Sequence, residues 1–264
     1  MAWEVHRRKR KPGETRDDLF VTVISDLDTR KVIWVADSRR KEALDGFFKL
    51  LGPEACSKIE VVAMDQHEGY RASVIQYCPQ ATVVWDKFHL LQNFEEAVNE
   101  TRKDLYESID KYSPVKKLTR GAYRFLFLKR ASLRSAHEQK PIDQVVNQNR
   151  DFMRLEIIKE RMLTFFNEPD ELSAKIVFTK IGDWIWQADF KPLKKWYLNL
   201  EKNWETLKND FEWRVTTSLS EAINNVIKSI KRRGFGYRNR QYFKLKIMQV
   251  CGYLNSRFMP TCFQ

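Results

Sequence analysis

Two short runs of β-branched and aromatic residues, Leu19 to Ile24 and Lys31 to Ala36, flank the polar segment Asp26-Leu27-Asp28-Thr29-Arg30. Apolar runs of this length around such a segment predict a β-hairpin. Lys41 to Leu51 has helical spacing and stops at Gly52-Pro53. Ile59 to Met64 is then almost continuously apolar up to Asp65, the pattern of a strand buried on both faces. Tyr70 to Tyr77 reads as a short helix closed by Cys78-Pro79, and Ala81 to Trp85 as a second buried strand ending at Asp86. Strand, helix, strand predicts a parallel pair, because the crossover must carry the chain back to the same end.

The pattern changes from about Leu90 to Leu207, where Lys, Arg, Glu and Leu recur with helical spacing and no strand is indicated. Breaks between helices are expected at Ser113-Pro114, Gln139-Lys140-Pro141, Glu168-Pro169-Asp170 and Lys191-Pro192, since proline removes a donor and restricts the residue before it. Trp184, Trp186, Trp196, Trp204 and Trp213 are expected to be core anchors of these helices. A last helical section carries Glu221 and a basic run. The reading divides the chain into an α/β part at 1–90, an α-helical segment at 91–207, and C-terminal helices at 208–264.

Composition narrows the partners. The 264 residues are 43% hydrophobic, enough for one good core and a smaller second one. Lys and Arg number 47 against 35 Asp and Glu, and the net charge of +12 favours a polyanion, nucleic acid before any small acidic substrate. Cys56, Cys78, Cys251 and Cys262 form no C-x-x-C pair, which argues against a zinc knuckle or a disulfide framework and for a reducing compartment. No apolar run approaches a membrane span and no signal peptide follows Met1, so a cytoplasmic location and no membrane partner are expected.

Candidate chemistry sits where the strands end. Asp65 and Asp86 close adjacent buried strands, the edge of an open α/β sheet where ligands gather. A glutamate on a late helix, Glu221, would add a third hard oxygen donor, and convergent carboxylates are what divalent ions in phosphoryl transfer require. Each has a plain structural alternative. Asp65 serves as a loop-starting residue, Asp86 as a cap for Lys87-Phe88-His89, and Glu221 as a partner in a capping box, Ser218-x-x-Glu221. Asn225, Lys228 and Arg232 follow Glu221 on one helix face at steps of four, three and four residues. Lys231, Arg233, Arg238 and Arg240 extend the basic run, interleaved with Phe235, Tyr237, Tyr242 and Phe243, which suit either base stacking or a core. His6-Arg7-Arg8-Lys9-Arg10-Lys11 fits a solvated loop or a backbone clamp.

Val61-Val62-Ala63-Met64-Asp65, Val84-Trp85-Asp86-Lys87-Phe88-His89 and Ser220-Glu221-Ala222-Ile223-Asn224, followed by Lys231-Arg232-Arg233-Gly234-Phe235-Gly236-Tyr237-Arg238, together resemble the ISL-three family of bacterial insertion-sequence transposases. The resemblance implies an RNase H-like α/β core interrupted by an all-α insertion. It also implies a DDE triad holding two Mg²⁺ (or Mn²⁺) ions for DNA strand cleavage and transfer. On this match Asp65 is the second acid and Glu221 the third, both metal ligands, with Asp86 supporting from the adjacent strand. Asn225, Lys228, Lys231, Arg232, Arg233, Arg238 and Arg240 would hold double-stranded DNA, at transposon ends and target. A homo-oligomer or a full-length transposase are further partners, and the nucleoid is the place of work.

The chain departs from the family pattern at two points. Trp3 stands where the first strand carries its Asp, and Glu4, which matches the next position, points to the other face of that strand. Asp26 reads as a turn residue. The upstream zinc-binding and helix-turn-helix region of the family has no counterpart here, so the resemblance implies an N-terminally truncated copy. Three functions therefore stand open: a DDE transposase catalytic domain, a catalytically inactive remnant that binds DNA or full-length transposase, and a stand-alone metal-dependent nuclease.

Overall fold

The protein is described from a computed structural model covering residues 2–4, 15, 17–215, 218–235, 237 and 239–252, with side chains left aside at 2–4 and 18. The fold is mixed α/β and mostly helical, with two small sheets. The strands are β1 (Ala2–Glu4), β2 (Phe20–Ser25), β3 (Val32–Asp37), β4 (Val61–Met64) and β5 (Thr82–Trp85). The α-helices are α1 (Lys41–Leu51), α2 (Pro53–Cys56), α3 (Glu68–Tyr77), α4 (Lys87–Ser108), α5 (Pro114–Leu118), α6 (Arg124–Leu128), α7 (Ala136–Gln148), α8 (Arg150–Thr164), α9 (Glu171–Ala188), α10 (Lys191–Lys202), α11 (Trp204–Leu207), α12 (Asn209–Trp213), α13 (Ser218–Arg233) and α14 (Arg240–Cys251). The chain forms two compact units: it leaves the first after Asp86, builds the second from Lys87 to Arg214, and returns to the first at Val215.

In the first unit β1, β2 and β3 form an antiparallel sheet in that order, and β4 and β5 a parallel pair. The hairpin turn is made by Asp26, whose Oδ1 accepts from the Asp28 N–H (3.0 Å) and whose Oδ2 accepts from the Thr29 hydroxyl (2.7 Å). This side-chain mimic of a backbone turn is why Asp suits the position, and Arg30 closes the loop at φ 58°. Strand alternation sorts the side chains of β2, and the register shift that pairs Ile24 with Trp34 but Ser25 with Val32 sends Val32 and Trp34 to different faces. Val21, Val23 and Val32 pack with Leu219, Ile223, Ile227 and Ile230 of α13 and with Phe243, Ile247 and Cys251 of α14. Ile24 and Trp34 instead join Phe47 and Phe48 of α1, Met64 of β4, and Tyr70 and Val74 of α3. The hairpin thus lies between two helical layers. Lys244 reaches across to Asp37 at 2.6 Å and ties α14 to the end of β3.

The second unit is all helical among its described residues. Its expected break at Gln139-Lys140-Pro141 is not there, and Pro141 lies inside α7. The helix starts five residues earlier, at a capping box in which the Glu138 N–H donates to Ser135 Oγ (3.3 Å) and the Ser135 N–H donates to Glu138 Oε2 (2.8 Å). Pro141 therefore removes one donor early in a helix that buried Ile142 and Val145 hold against Phe127 and Phe152. The other three prolines do fall at helix starts or between helices, with Pro114 and Pro192 in the first positions of α5 and α10. Trp196 and Trp204 are buried anchors, whereas Trp186 is half exposed beneath the Lys194 ammonium at 4.4 Å. Gly182 of α9 lies where a Cβ would stand 2.5 Å from Tyr197 Cζ of α10, a close approach that only glycine permits. Lys159 is buried too, its ammonium held by Glu156 (2.9 Å), Glu160 (3.0 Å) and the Lys129 carbonyl (3.1 Å). No helix of the described residues is long and apolar enough to cross a membrane.

Candidate functional site

The register of the parallel pair brings two acids together. Val61 lies opposite Thr82 and Met64 opposite Trp85, and the Asp86 N–H donates to the Met64 carbonyl at 2.8 Å. Asp65 and Asp86 consequently leave neighbouring strands at the same level. Strands so paired stand about 4.8 Å apart, and carboxylate oxygens of the two residues lie within 4.8 Å of one another. Asp86 is 4% exposed and Asp65 half-buried. Two acids at this separation in a poorly hydrated place repel one another, so the arrangement favours a cation between them. Carboxylate oxygens suit a hard divalent ion.

The loop after β4 is fixed by residues that sequence reasoning left out of the site. The His67 N–H donates to the Asp65 carbonyl at 2.7 Å, and the imidazole rests on Tyr70 with ring centroids 4.6 Å apart. Gly69 makes room for that ring, since a Cβ there would stand 3.0 Å from His67 Cε1. Tyr70 donates to Thr22 Oγ1 (2.5 Å), which donates in turn to the Ser38 carbonyl (2.7 Å). Burial pushes the Tyr70 phenol up to about 12, so it remains a donor throughout the neutral range. Burial, then the positive charge of Arg39, holds the His67 imidazole below its ordinary value; Arg39 is itself paired with Asp17 at 2.7 Å.

On α13 the buried positions Leu219, Ile223, Ile227 and Ile230 recur at helical spacing, and Glu221, Asn225, Lys228 and Arg232 form an exposed line on the opposite face. Glu221 sits in the first turn and Lys231, Arg232 and Arg233 in the last, the order that complements the helix dipole. Ser218 opens the helix and Glu221 follows it in the first turn. Among the described residues, Glu221 is not in the group of close-set ligand atoms that contains Asp65 and Asp86. Arg232 and Arg233 are exposed and Lys231 half-buried. Arg240 turns to Asp37 at 3.6 Å. Arg238 lies outside the described residues, as does the basic run from His6 to Lys11. The aromatics of this segment divide: Phe243 is fully buried, Tyr237 packs on Phe243 and Tyr242 with centroids 5.0 and 5.7 Å apart, and Phe235 is fully exposed.

A family model described as Transposase, the DDE type of the ISL-three group, matches residues 11–247. The transposase for insertion sequence element IS1001 of Bordetella parapertussis is 27% identical over 246 residues, which covers 86% of this chain and 56% of that protein. The transposase for insertion sequence element IS1557 of Mycobacterium tuberculosis is 31% identical over 88 residues, 33% of this chain and 20% of that protein. The chain thus spans about half the length of the first of these relatives and a fifth of the second. No solved structure matches.

Proposed function

The chain belongs to the ISL-three family of transposases, and from that premise we propose that it is the catalytic region of a DDE-type insertion-sequence transposase acting on double-stranded DNA. In this reading the first unit is the RNase H-like core, and the helical unit between Asp86 and Val215 is its insertion. Asp65 and Asp86 hold a divalent cation, Mg²⁺ or Mn²⁺, and the observation that carries this is their placement by strand register with oxygens within 4.8 Å. Glu221 is assigned as the third acid on the family resemblance. Bound there, divalent ions would supply Lewis-acid stabilisation of the attacking and leaving oxygens of a phosphodiester. The protein's own part is to aim carboxylates from rigid strand ends, to fix the Asp65 loop through His67 and Tyr70, and to hold phosphates along α13 with Lys228, Arg232 and Arg233. Work at the bacterial nucleoid, with a second copy or a full-length transposase as partner, completes the proposal.

One residue favours a second reading, a remnant that binds DNA without completing transfer. Trp3 occupies the first strand where the family's first acid belongs, and a site short of a ligand cannot hold both ions. A Mg²⁺-dependent cleavage and strand-transfer assay on the whole chain decides between them. The expected outcome is DNA retention with little turnover, and tighter Mn²⁺ binding in Trp3→Asp. Robust turnover that Glu221→Gln abolishes would refute inactivity and require another acid to supply the missing ligand. Failure to retain DNA would remove both readings.

A further inference from the structure

The turn that ends α13 holds an aromatic ring in water. Phe235 is the most exposed of the large hydrophobic side chains described, at 101% relative exposure. Its backbone is left-handed, φ 48°, a region that bulky residues avoid and that glycine adopts freely. Glycine is present one residue earlier but serves a different purpose. A Cβ on Gly234 would stand 2.7 Å from the Tyr237 ring, so Gly234 lets the turn lie flat against that ring. Tyr237 is seated on buried Phe243, and the Phe235 N–H closes the helix end by donating to the Arg232 carbonyl at 3.0 Å. Gly234 thus lies against the Tyr237 ring, while Phe235 carries its own ring into solvent. Arg232 and Arg233, both exposed, precede it at the end of the helix.

An exposed phenylalanine just after two exposed arginines matches what single-stranded or unstacked nucleic acid requires: cations for the phosphates and a ring face for a base. Resting on the reading of α13 as a DNA-binding face, we propose that Phe235 is the stacking contact of that face. Its ring lies against a nucleobase at an opened or distorted step of the DNA whose phosphates meet Arg232 and Arg233. The local charge commits the surface to a polyanion, and the ring commits it to a base and not to the phosphates alone. Phe243 is buried and Tyr237 is half-buried against it, so neither is a candidate for this contact.

The test uses the whole chain and DNA duplexes carrying a short unpaired segment with 2-aminopurine, compared with fully paired duplexes of the same sequence. Phe235→Ala should weaken binding to the unpaired probe roughly five- to a hundredfold, the range that one base–aromatic stack carries, and should remove the change in 2-aminopurine emission on binding. Phe235→Trp should keep both. The slope of log affinity against log salt should be unchanged in both variants, because no phosphate contact is lost. In Arg232→Ala with Arg233→Ala the slope should flatten by about 0.9 for each duplex phosphate contact removed. Unchanged affinity and emission in Phe235→Ala, alongside a flattened slope in the arginine variant, overturns the stacking assignment and leaves the DNA-binding face standing. No effect in either variant overturns both. A change of oligomeric state in Phe235→Ala with DNA binding intact would also overturn it, by making the ring a contact between copies of the chain. A fully exposed side chain leaves the fold unaltered on truncation, so thermal unfolding of Phe235→Ala should match the parent.

Discussion

Replacing one of the paired acids should make the protein more stable without metal and indifferent to it. Carboxylate oxygens of Asp65 and Asp86 lie within 4.8 Å, where two unit charges repel by about 0.9 kcal/mol at the dielectric of water and about 3.5 kcal/mol at an effective value near 20. Asp86 is buried and Asp65 half-buried, which places the pair nearer the second figure. Local relaxation and a shared proton reduce it, so we expect Asp65→Asn to stabilise the metal-free chain by about 1–2 kcal/mol, since the amide keeps the shape and one acceptor while removing the charge. For a chain of this size that is a rise of roughly 2–8 °C in the unfolding midpoint. The parent should gain stability with Mg²⁺ or Mn²⁺ by about 2.7 kcal/mol at a hundred times the dissociation constant, and Asp65→Asn should gain little. Thermal unfolding in EDTA and across an ion titration reads both effects. An asparagine variant that is no more stable in EDTA, or that responds to the ion as the parent does, refutes the cation pair.

In the helical unit, Gly182→Ala should cost about 1–3 kcal/mol, because its methyl would stand 2.5 Å from Tyr197 and both helices must separate; Gly182→Ala combined with Tyr197→Leu should recover part of the loss in denaturant unfolding. Glu138 is held down to about 2 by its hydrogen bond with Lys129 and its acceptance from the Ser135 N–H. A depressed acid stabilises above its unfolded value, near 4.5, and the contribution fades as pH falls toward 2. The stability difference between the parent and Glu138→Gln should therefore shrink on acidification through that window, and a constant difference would exclude the capping box as its source.

Local signals in the sequence were enough for the hairpin, for β4 and β5 and for their parallel pairing, because turn residues and apolar run length act within a few positions. Register was enough to align Asp65 with Asp86. The chain pattern could not say that Pro141 would sit inside α7, since that depended on a cap at Ser135 and on Phe127 and Phe152 holding the far side. Nor could it sort Phe235, Tyr237 and Phe243, which alternate alike in sequence yet end exposed, half-buried and buried according to what α14 packs against. Lys159 illustrates the same limit: a lysine reads as surface until Glu156, Glu160 and the Lys129 carbonyl enclose it. The Arg39, His67 and Tyr70 cluster draws on β2, the start of α1 and α3, and no local spacing announces a contact of that kind.

The layering of the first unit also sets a schedule for biosynthesis. Val21, Val23 and Val32 are covered by α13 and α14, and the tie between Asp37 and Lys244 joins positions 207 residues apart. At about 5–20 residues per second a ribosome needs roughly 10–40 s to supply that stretch, and through that interval the hairpin's apolar face has no native cover. The helices of the second unit, whose partners are nearer in sequence, can form meanwhile. The nascent chain therefore carries a sticky three-stranded sheet for most of its synthesis, and a chaperone that shields this face is the factor on which its yield should most depend.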